Sequence, residues 1–122
     1  MTVDIRAGHV SDFAEGQRVM LDVDGREVFV FARDGRFYAY ENICAHMGGP
    51  VGEGILMGKV EVVLGPNQET IREKFSTTEI HLVCPWHGWE YDIETGECVA
   101  LRRYRLRRYR AVQRGDEVYV VA

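Results

Sequence analysis

Cys44-Ala-His46-Met47-Gly48-Gly49, near the middle of the chain, is answered by Cys84-Pro-Trp-His87-Gly88-Trp89, and these two stretches together decide how the rest is read. Each supplies one thiolate and one imidazole from a loop rich in Gly and Pro. The pair therefore offers two sulfur and two nitrogen ligands to a single inorganic centre, the set of an iron–sulfur cluster or a zinc ion. Zinc fingers usually put the Cys pair in one compact half and the His pair on a helix. Here each half mixes the two ligand types, and neither lies in a helical pattern.

Both stretches resemble, almost letter for letter, the two loops of Rieske proteins. Gly48, Gly49 and Pro50 ahead of Val51-Gly52-Glu53-Gly54 resemble the turn after the first ligand pair, and Tyr91-Asp92 then Thr95-Gly96-Glu97-Cys98 resemble the strand and hairpin after the second. The resemblance covers nearly the whole chain and is to Rieske ferredoxins, the ferredoxin components of ring-hydroxylating oxygenase systems. It implies one [2Fe-2S] cluster per chain, with Cys44 and Cys84 on the buried iron and His46 and His87 on the outer iron near solvent. It also implies an all-β Rieske fold: an antiparallel β-sandwich with a small cluster-binding subdomain built from loops 42–50 and 84–91.

Length agrees with a carrier. At 122 residues the chain is one domain, 1–122, too short for a second catalytic domain of ordinary size. Rieske oxygenases add a mononuclear iron held by two histidines and a carboxylate. Once the four ligands are taken, only His9 and His81 remain here: His9 in the N-terminal segment, and His81 in an apolar strand, exposed or hydrogen-bonded. Neither forms such a triad, and no G-x-G-x-x-G nucleotide motif is present, so the chain is expected to be an electron-transfer component and not an enzyme.

Periodicity points to strands separated by turns. Gln17 to Val23, Asp24-Gly25 and Arg26 to Ala32 predict a hairpin, since Asp-Gly readily takes the positive φ angles of a tight turn. Asp34-Gly35 repeats the device before Arg36 to Tyr40. Lys59 to Leu64 and Glu79 to Val83 are apolar runs expected to pair, and further turns fall at Glu94-Thr95-Gly96 and Arg114-Gly115-Asp116, the latter before Glu117 to Val121. Eight or more short strands with Gly turns argue an all-β sandwich or barrel.

Departures from the family are as informative as the matches. Compact Rieske ferredoxins join the ligand pairs by a shorter segment, whereas this chain inserts 65–78, expected to be a long hairpin tip or excursion with one helical turn around Glu69 to Phe75. It serves either as a tolerated surface insertion or as a partner-docking element. High-potential members carry an extra disulfide-forming cysteine in each loop and a serine that donates to a cluster sulfur. Gly49, Trp86 and Trp89 occupy those positions here, and only Tyr91 retains a hydroxyl. Fewer donors stabilise the reduced cluster less, so the potential is expected at roughly −150 mV rather than roughly +300 mV. Trp86 and Trp89 serve either to shield the cluster or as plain core; Met47 is packing, and Cys98 a small packed residue with no disulfide partner.

Charge is unevenly spread. Residues 1–101 carry 17 acidic and 8 basic side chains, while residues 102–122 carry 2 acidic and 7 basic. The strip Arg102, Arg103, Arg105, Arg107, Arg108 and Arg110, interleaved with Leu101, Tyr104, Leu106, Tyr109 and Ala111, has the pattern of edge strands with apolar members inward. An acidic body repels phosphates, which argues against nucleic acid and for a solvated face or a docking patch for an acidic protein. No apolar run approaches the length of a membrane span, and an odd cysteine count fits a reducing compartment, so a cytoplasmic, membrane-free monomer is expected. The resemblance implies electrons from an NAD(P)H-dependent flavoprotein reductase and delivery to an oxygenase, by transient docking near His46 and His87. Two other readings are a Rieske-like small subunit of a larger, nitrite reductase type enzyme and a structural zinc-binding interaction module.

Overall fold

Asp24-Gly25 and Asp34-Gly35 each turn the chain back on itself, with φ of 56° and 82° in the first pair and 51° and 75° in the second. Positive φ at both central residues is what a two-residue hairpin needs to match the twist of its strands. The computed structural model describes residues 4–14, 16–45, 48–86 and 88–122. In chain order it runs β1 (Asp4–His9), a 3-10 turn (Val10–Asp12), β2 (Val19–Val23), β3 (Arg26–Arg33), β4 (Arg36–Glu41), a 3-10 turn (Val51–Glu53), β5 (Ile55–Leu64), β6 (Thr70–Val83), β7 (Glu90–Asp92), β8 (Arg108–Arg114) and β9 (Glu117–Val121). Two antiparallel sheets result. One has the order β1-β9-β8-β4-β3-β2, the other β5-β6-β7. No helix among the described residues is long and apolar enough to cross a membrane.

The run Val28-Phe29-Val30-Phe31-Ala32 has no polar member, which is the signature of a strand buried on both faces. All five are buried, the first four completely. Because side chains alternate across a strand, β3 feeds two cores. Val28, Val30 and Ala32 pack with Phe13, Val23, Ala39, Val118 and Val120 inside the six-stranded sheet. Phe29 and Phe31, with Tyr38 and Tyr40 from β4, form the opposite face, against which the three-stranded sheet lays Ile80, Leu82 and Tyr91, with Ile93 just beyond β7. The buried Tyr40 hydroxyl donates to the Ile93 carbonyl at 2.6 Å, joining the two sheets at a polar point within an apolar interface.

The inserted segment departs from expectation. Lys59–Leu64 does not pair with Glu79–Val83: Ile55–Gly58 takes that partner, and Val60–Leu64 pairs with Thr70–Phe75. Between the two registers β6 bulges at Ser76–Glu79, where the Ser76 hydroxyl accepts from the backbone N–H groups of Thr78 and Glu79 at 3.1 and 3.0 Å. Where the helical turn was expected, around Glu69 to Phe75, Thr70–Phe75 is strand. Thr70-Ile71 and Thr77-Thr78 are β-branched, and ladder pairing with β5 outweighs a single isolated helical turn. The tip is a tight turn at Gly65–Gln68, closed by the Gln68 N–H on the Gly65 carbonyl at 2.9 Å.

The arginine strip also differs from an edge strand. β8 lies inside its sheet, between β4 and β9. Residues 101–107 form only an irregular link, with Leu106 buried as expected but Leu101 42% exposed. Two neighbours suffice to explain β8: its half-buried Tyr109 and Ala111, alternating with arginines, pack against the core formed by Val28, Val30 and Ala32.

Gly54 ties the first loop region to the strand that enters the second. Arg18 donates to its carbonyl at 2.6 Å, and a Cβ on Gly54 would lie 2.0 Å from the Val83 carbonyl oxygen, one residue before Cys84. Its φ of −73° and ψ of 174° suit any residue, so the requirement for glycine is steric. Gly54→Ala is therefore expected to cost about 1–3 kcal/mol, the range for overpacking a filled site. Urea unfolding should show a lowered midpoint at unchanged slope, and an unchanged midpoint would contradict the close approach.

Candidate metal centre

Both cysteine loops are closed in the same way. The Cys44 N–H donates to the Gly49 carbonyl at 2.8 Å and the Cys84 N–H to the Trp89 carbonyl at 2.8 Å, so each loop returns on its own cysteine five residues later. The first leaves β4 and the second joins β6 to β7. They interlock: a Cβ on Gly49 would lie 2.8 Å from the Trp86 indole, so only glycine lets the first loop pass beneath the second. Cys44 and Cys84 end up buried, at 2% and 1% exposure, in the core shared with Phe29, Tyr40, Leu82 and Tyr91.

Tyr91 supplies the polar element of this pocket. Its hydroxyl lies 3.0 Å from the Cys44 sulfur and accepts from the Ala45 N–H at 3.1 Å. With its lone pair engaged by Ala45, the hydroxyl hydrogen is free for the sulfur, and toward a thiolate it is the only possible donor. Burial pushes the Tyr91 hydroxyl above its ordinary range, with the hydrogen bond to Cys44 adding to it. Burial likewise raises the Cys84 thiol, and nearby Cys44 adds to this against a backbone hydrogen bond from Trp86. A buried thiol kept neutral by an apolar setting, as Cys84 is, becomes a thiolate when a cation compensates it. The donor set thus fits the sulfur side of an iron–sulfur centre.

His46, Met47 and His87 lie outside the described residues, so the structure brings together Cys44 and Cys84 and says nothing of the imidazoles. Cys98 is a packed residue, 1% exposed, whose backbone bridges Tyr91 and whose N–H donates to the Tyr104 carbonyl at 2.8 Å. Trp86 is 49% exposed at the loop surface. Trp89 is partly buried and meets Tyr104 edge-on, with centroids 5.5 Å apart. His9 caps the first 3-10 turn, accepting from the Ser11 N–H. His81 is fully buried, its two ring nitrogens 2.6 Å from Glu79 and 3.1 Å from Glu90. That hydrogen bond holds the Glu79 carboxyl below its usual range. The pairing of His81 with Glu79 and Glu90 was not foreseen; the i, i+2 spacing of Glu79 and His81 on one strand face was its only local sign.

Comparison with known proteins agrees with the geometry. The family model described as Rieske [2Fe-2S] domain matches residues 4–110. The ferredoxin component of the alkene monooxygenase system of Xanthobacter autotrophicus is 30% identical over 95 residues, which span 78% of this chain and 60% of that protein. The ferredoxin component of the naphthalene 1,2-dioxygenase system of Pseudomonas putida is 27% identical over 100 residues, 81% of this chain and 76% of that one. Among solved structures, the ferredoxin of carbazole 1,9a-dioxygenase from Nocardioides aromaticivorans superimposes with a TM-score of 0.69 at 27% identity, covering 97% of this chain and 96% of that chain. With two interlocked cysteine loops seated on an antiparallel β-sandwich and a family match across residues 4–110, the chain belongs to the Rieske [2Fe-2S] domain family, whose cofactor is a Rieske-type [2Fe-2S] cluster.

Proposed function

We propose that the protein is a one-electron carrier, accepting electrons from an NAD(P)H-dependent flavoprotein reductase and passing them to an oxygenase. The observation that carries this reading is the pair of buried thiols, Cys44 and Cys84, in rigid interlocked loops with the Tyr91 hydroxyl turned toward one of them. Its likeness to ferredoxin components of alkene monooxygenase and naphthalene dioxygenase systems supports the same role. Cys44 and Cys84 would hold the inner iron, and His46 and His87 the outer one. Bound there, a [2Fe-2S] cluster supplies reversible one-electron reduction.

The chain's own residues would set the terms of that exchange. Burial of the cysteines excludes water from the inner side, and Tyr91 offsets thiolate charge through its hydrogen bond. Trp86 covers the outer face of the first loop at Gly49 while remaining half exposed, which leaves this end open to a partner. Transient docking of reductase and oxygenase is assigned to the end bearing His46 and His87. A cytoplasmic, monomeric state fits a diffusing carrier.

Iron and acid-labile sulfide analysis of freshly purified protein should give two of each per chain, with a Rieske-type electron paramagnetic resonance signal after dithionite reduction. One zinc and a silent spectrum would end the carrier reading. Stable co-purification with a large reductase would favour a permanent subunit instead.

Ligand roles separate by substitution. Cys84→Ser should largely abolish the cluster, whereas His87→Cys should retain one with an added thiolate charge and a lower potential. A full signal at unchanged potential in both variants would remove these residues from the site.

Tyr91→Phe removes the hydroxyl that offsets charge on Cys44 and so disfavours the more negative, reduced state. The potential should fall by about 30–60 mV, half a decade to a decade of a one-electron equilibrium. Protein-film voltammetry reads it directly, and a rise would show that Tyr91 does not donate to the sulfur.

A further inference from the structure

Six arginines lie between Arg102 and Arg110, but they are not equivalent. Arg102 and Arg105 share Glu97, at 3.7 and 3.0 Å, and Arg108 donates to the Glu94 carbonyl at 3.1 Å. Arg103, Arg107 and Arg110 have no ion-pair partner among the described residues. All three are solvent-exposed. Arg103 instead lies over the Tyr104 ring, 5.1 Å from its centroid, and Arg107 over the Tyr109 ring at 6.0 Å.

Stacking on a ring holds a guanidinium in place without cancelling its charge. Less side-chain freedom is then lost when the group meets an anion. From Arg103 a short chain of contacts leads to the metal centre: Tyr104, under the guanidinium, meets Trp89 edge-on at 5.5 Å, and the Trp89 carbonyl accepts from the Cys84 N–H at 2.8 Å. Leu101, 42% exposed, gives the same segment an apolar contact.

Charge over the rest of the chain sharpens the case. Residues 1–101 hold 17 acidic and 8 basic side chains, so a negatively charged macromolecule is repelled from most of the surface and admitted where free cations cluster. Resting on the carrier reading, we propose that the Leu101–Arg107 segment, with Arg103 and Arg107 as its principal charges, is a docking surface for the acidic face of an electron-transfer protein. It reaches the centre through Tyr104 and Trp89 of the second cysteine loop.

The test is binding of the cluster-loaded protein to dye-labelled flavodoxin, a small acidic one-electron flavoprotein, read by fluorescence anisotropy at low and high ionic strength. The expected result is saturable binding at low salt that weakens as salt rises. R103E/R107E should raise Kd about tenfold or more and lose most of the salt dependence. R6E, which reverses an exposed cation on β1 already paired with Glu117, should leave Kd within about twofold. Should R103E/R107E lose the cluster spectrum, R103Q/R107Q replaces it, with an expected rise of about threefold. The proposal is overturned by absence of binding at low salt, by an unchanged Kd in the charge-altered variants, or by an equal loss in R6E, which would reduce the effect to net charge. Failure of the carrier reading would show separately, as the absence of a one-electron-reducible cluster.

Discussion

Burial of β3 on both faces is the constraint on which the rest of the structure depends. Val28 through Phe31 are completely enclosed, and that is possible only if two separate layers cover one strand. The valine face closes the six-stranded sheet, where burial of each side chain contributes roughly 1.5–3 kcal/mol. The aromatic face offers a flat wall of Phe29, Phe31, Tyr38 and Tyr40 to the second sheet. Both cysteine loops hang from elements pressed against that wall, the first from β4 itself and the second from β6. The position of the metal centre is thus a consequence of how one strand satisfies its two faces.

The same wall explains how polar chemistry is carried in an apolar interface. Tyr40 spends its hydroxyl on the Ile93 carbonyl, holding the chain just after β7, and Tyr91 of β7 spends its own on Cys44 and Ala45. A buried hydroxyl without a partner would cost about 1–3 kcal/mol. Each tyrosine therefore has to be satisfied by a group from a different element, which fixes those elements relative to one another. Structural and electronic roles coincide in Tyr91, because the partner that satisfies it is a cysteine sulfur.

Much of this was legible in the amino-acid sequence, and the misses share a cause. The Asp24-Gly25 and Asp34-Gly35 hairpins, the all-β class and the approach of Cys44 to Cys84 depend on local turn chemistry or on motif residues, and they stand as read. The register of β5 and β6 does not: it depends on a bulge at Ser76–Glu79 built from side-chain-to-backbone hydrogen bonds, and no hydrophobic alternation signals that. Thr70–Phe75 mixes β-branched Thr70 and Ile71 with the helix-compatible Arg72, Glu73 and Lys74, so its strand state is decided by pairing with Val60–Leu64, a contact absent from local propensity. His81 was read as exposed or hydrogen-bonded. It is hydrogen-bonded and fully buried because β7 supplies Glu90 at 3.1 Å from across the ladder. Zinc gives way as a reading for the same kind of reason in reverse, since the discriminating pattern was the mixed Cys/His content of each loop, which is local.

On the carrier reading, the site gains from a frame that changes little between charge states, and the loops provide one. Each cysteine's N–H is spent on closing its own loop, which holds the backbone carrying the sulfur. Trp86 stacked against Gly49 prevents the loops from sliding past one another, and Gly54, trapped against the Val83 carbonyl and held by Arg18, couples the base of one loop to the entry of the other. Motion of either cysteine would therefore have to break hydrogen bonds and repack an indole at once. The long β5–β6 hairpin leaves from the far end of this construction, beyond the Ser76–Glu79 bulge, so its length adds surface without loosening the centre. Insertions tolerated at that point and rigidity retained at Cys44 and Cys84 are two results of the same division of the three-stranded sheet into an anchored half and a free one.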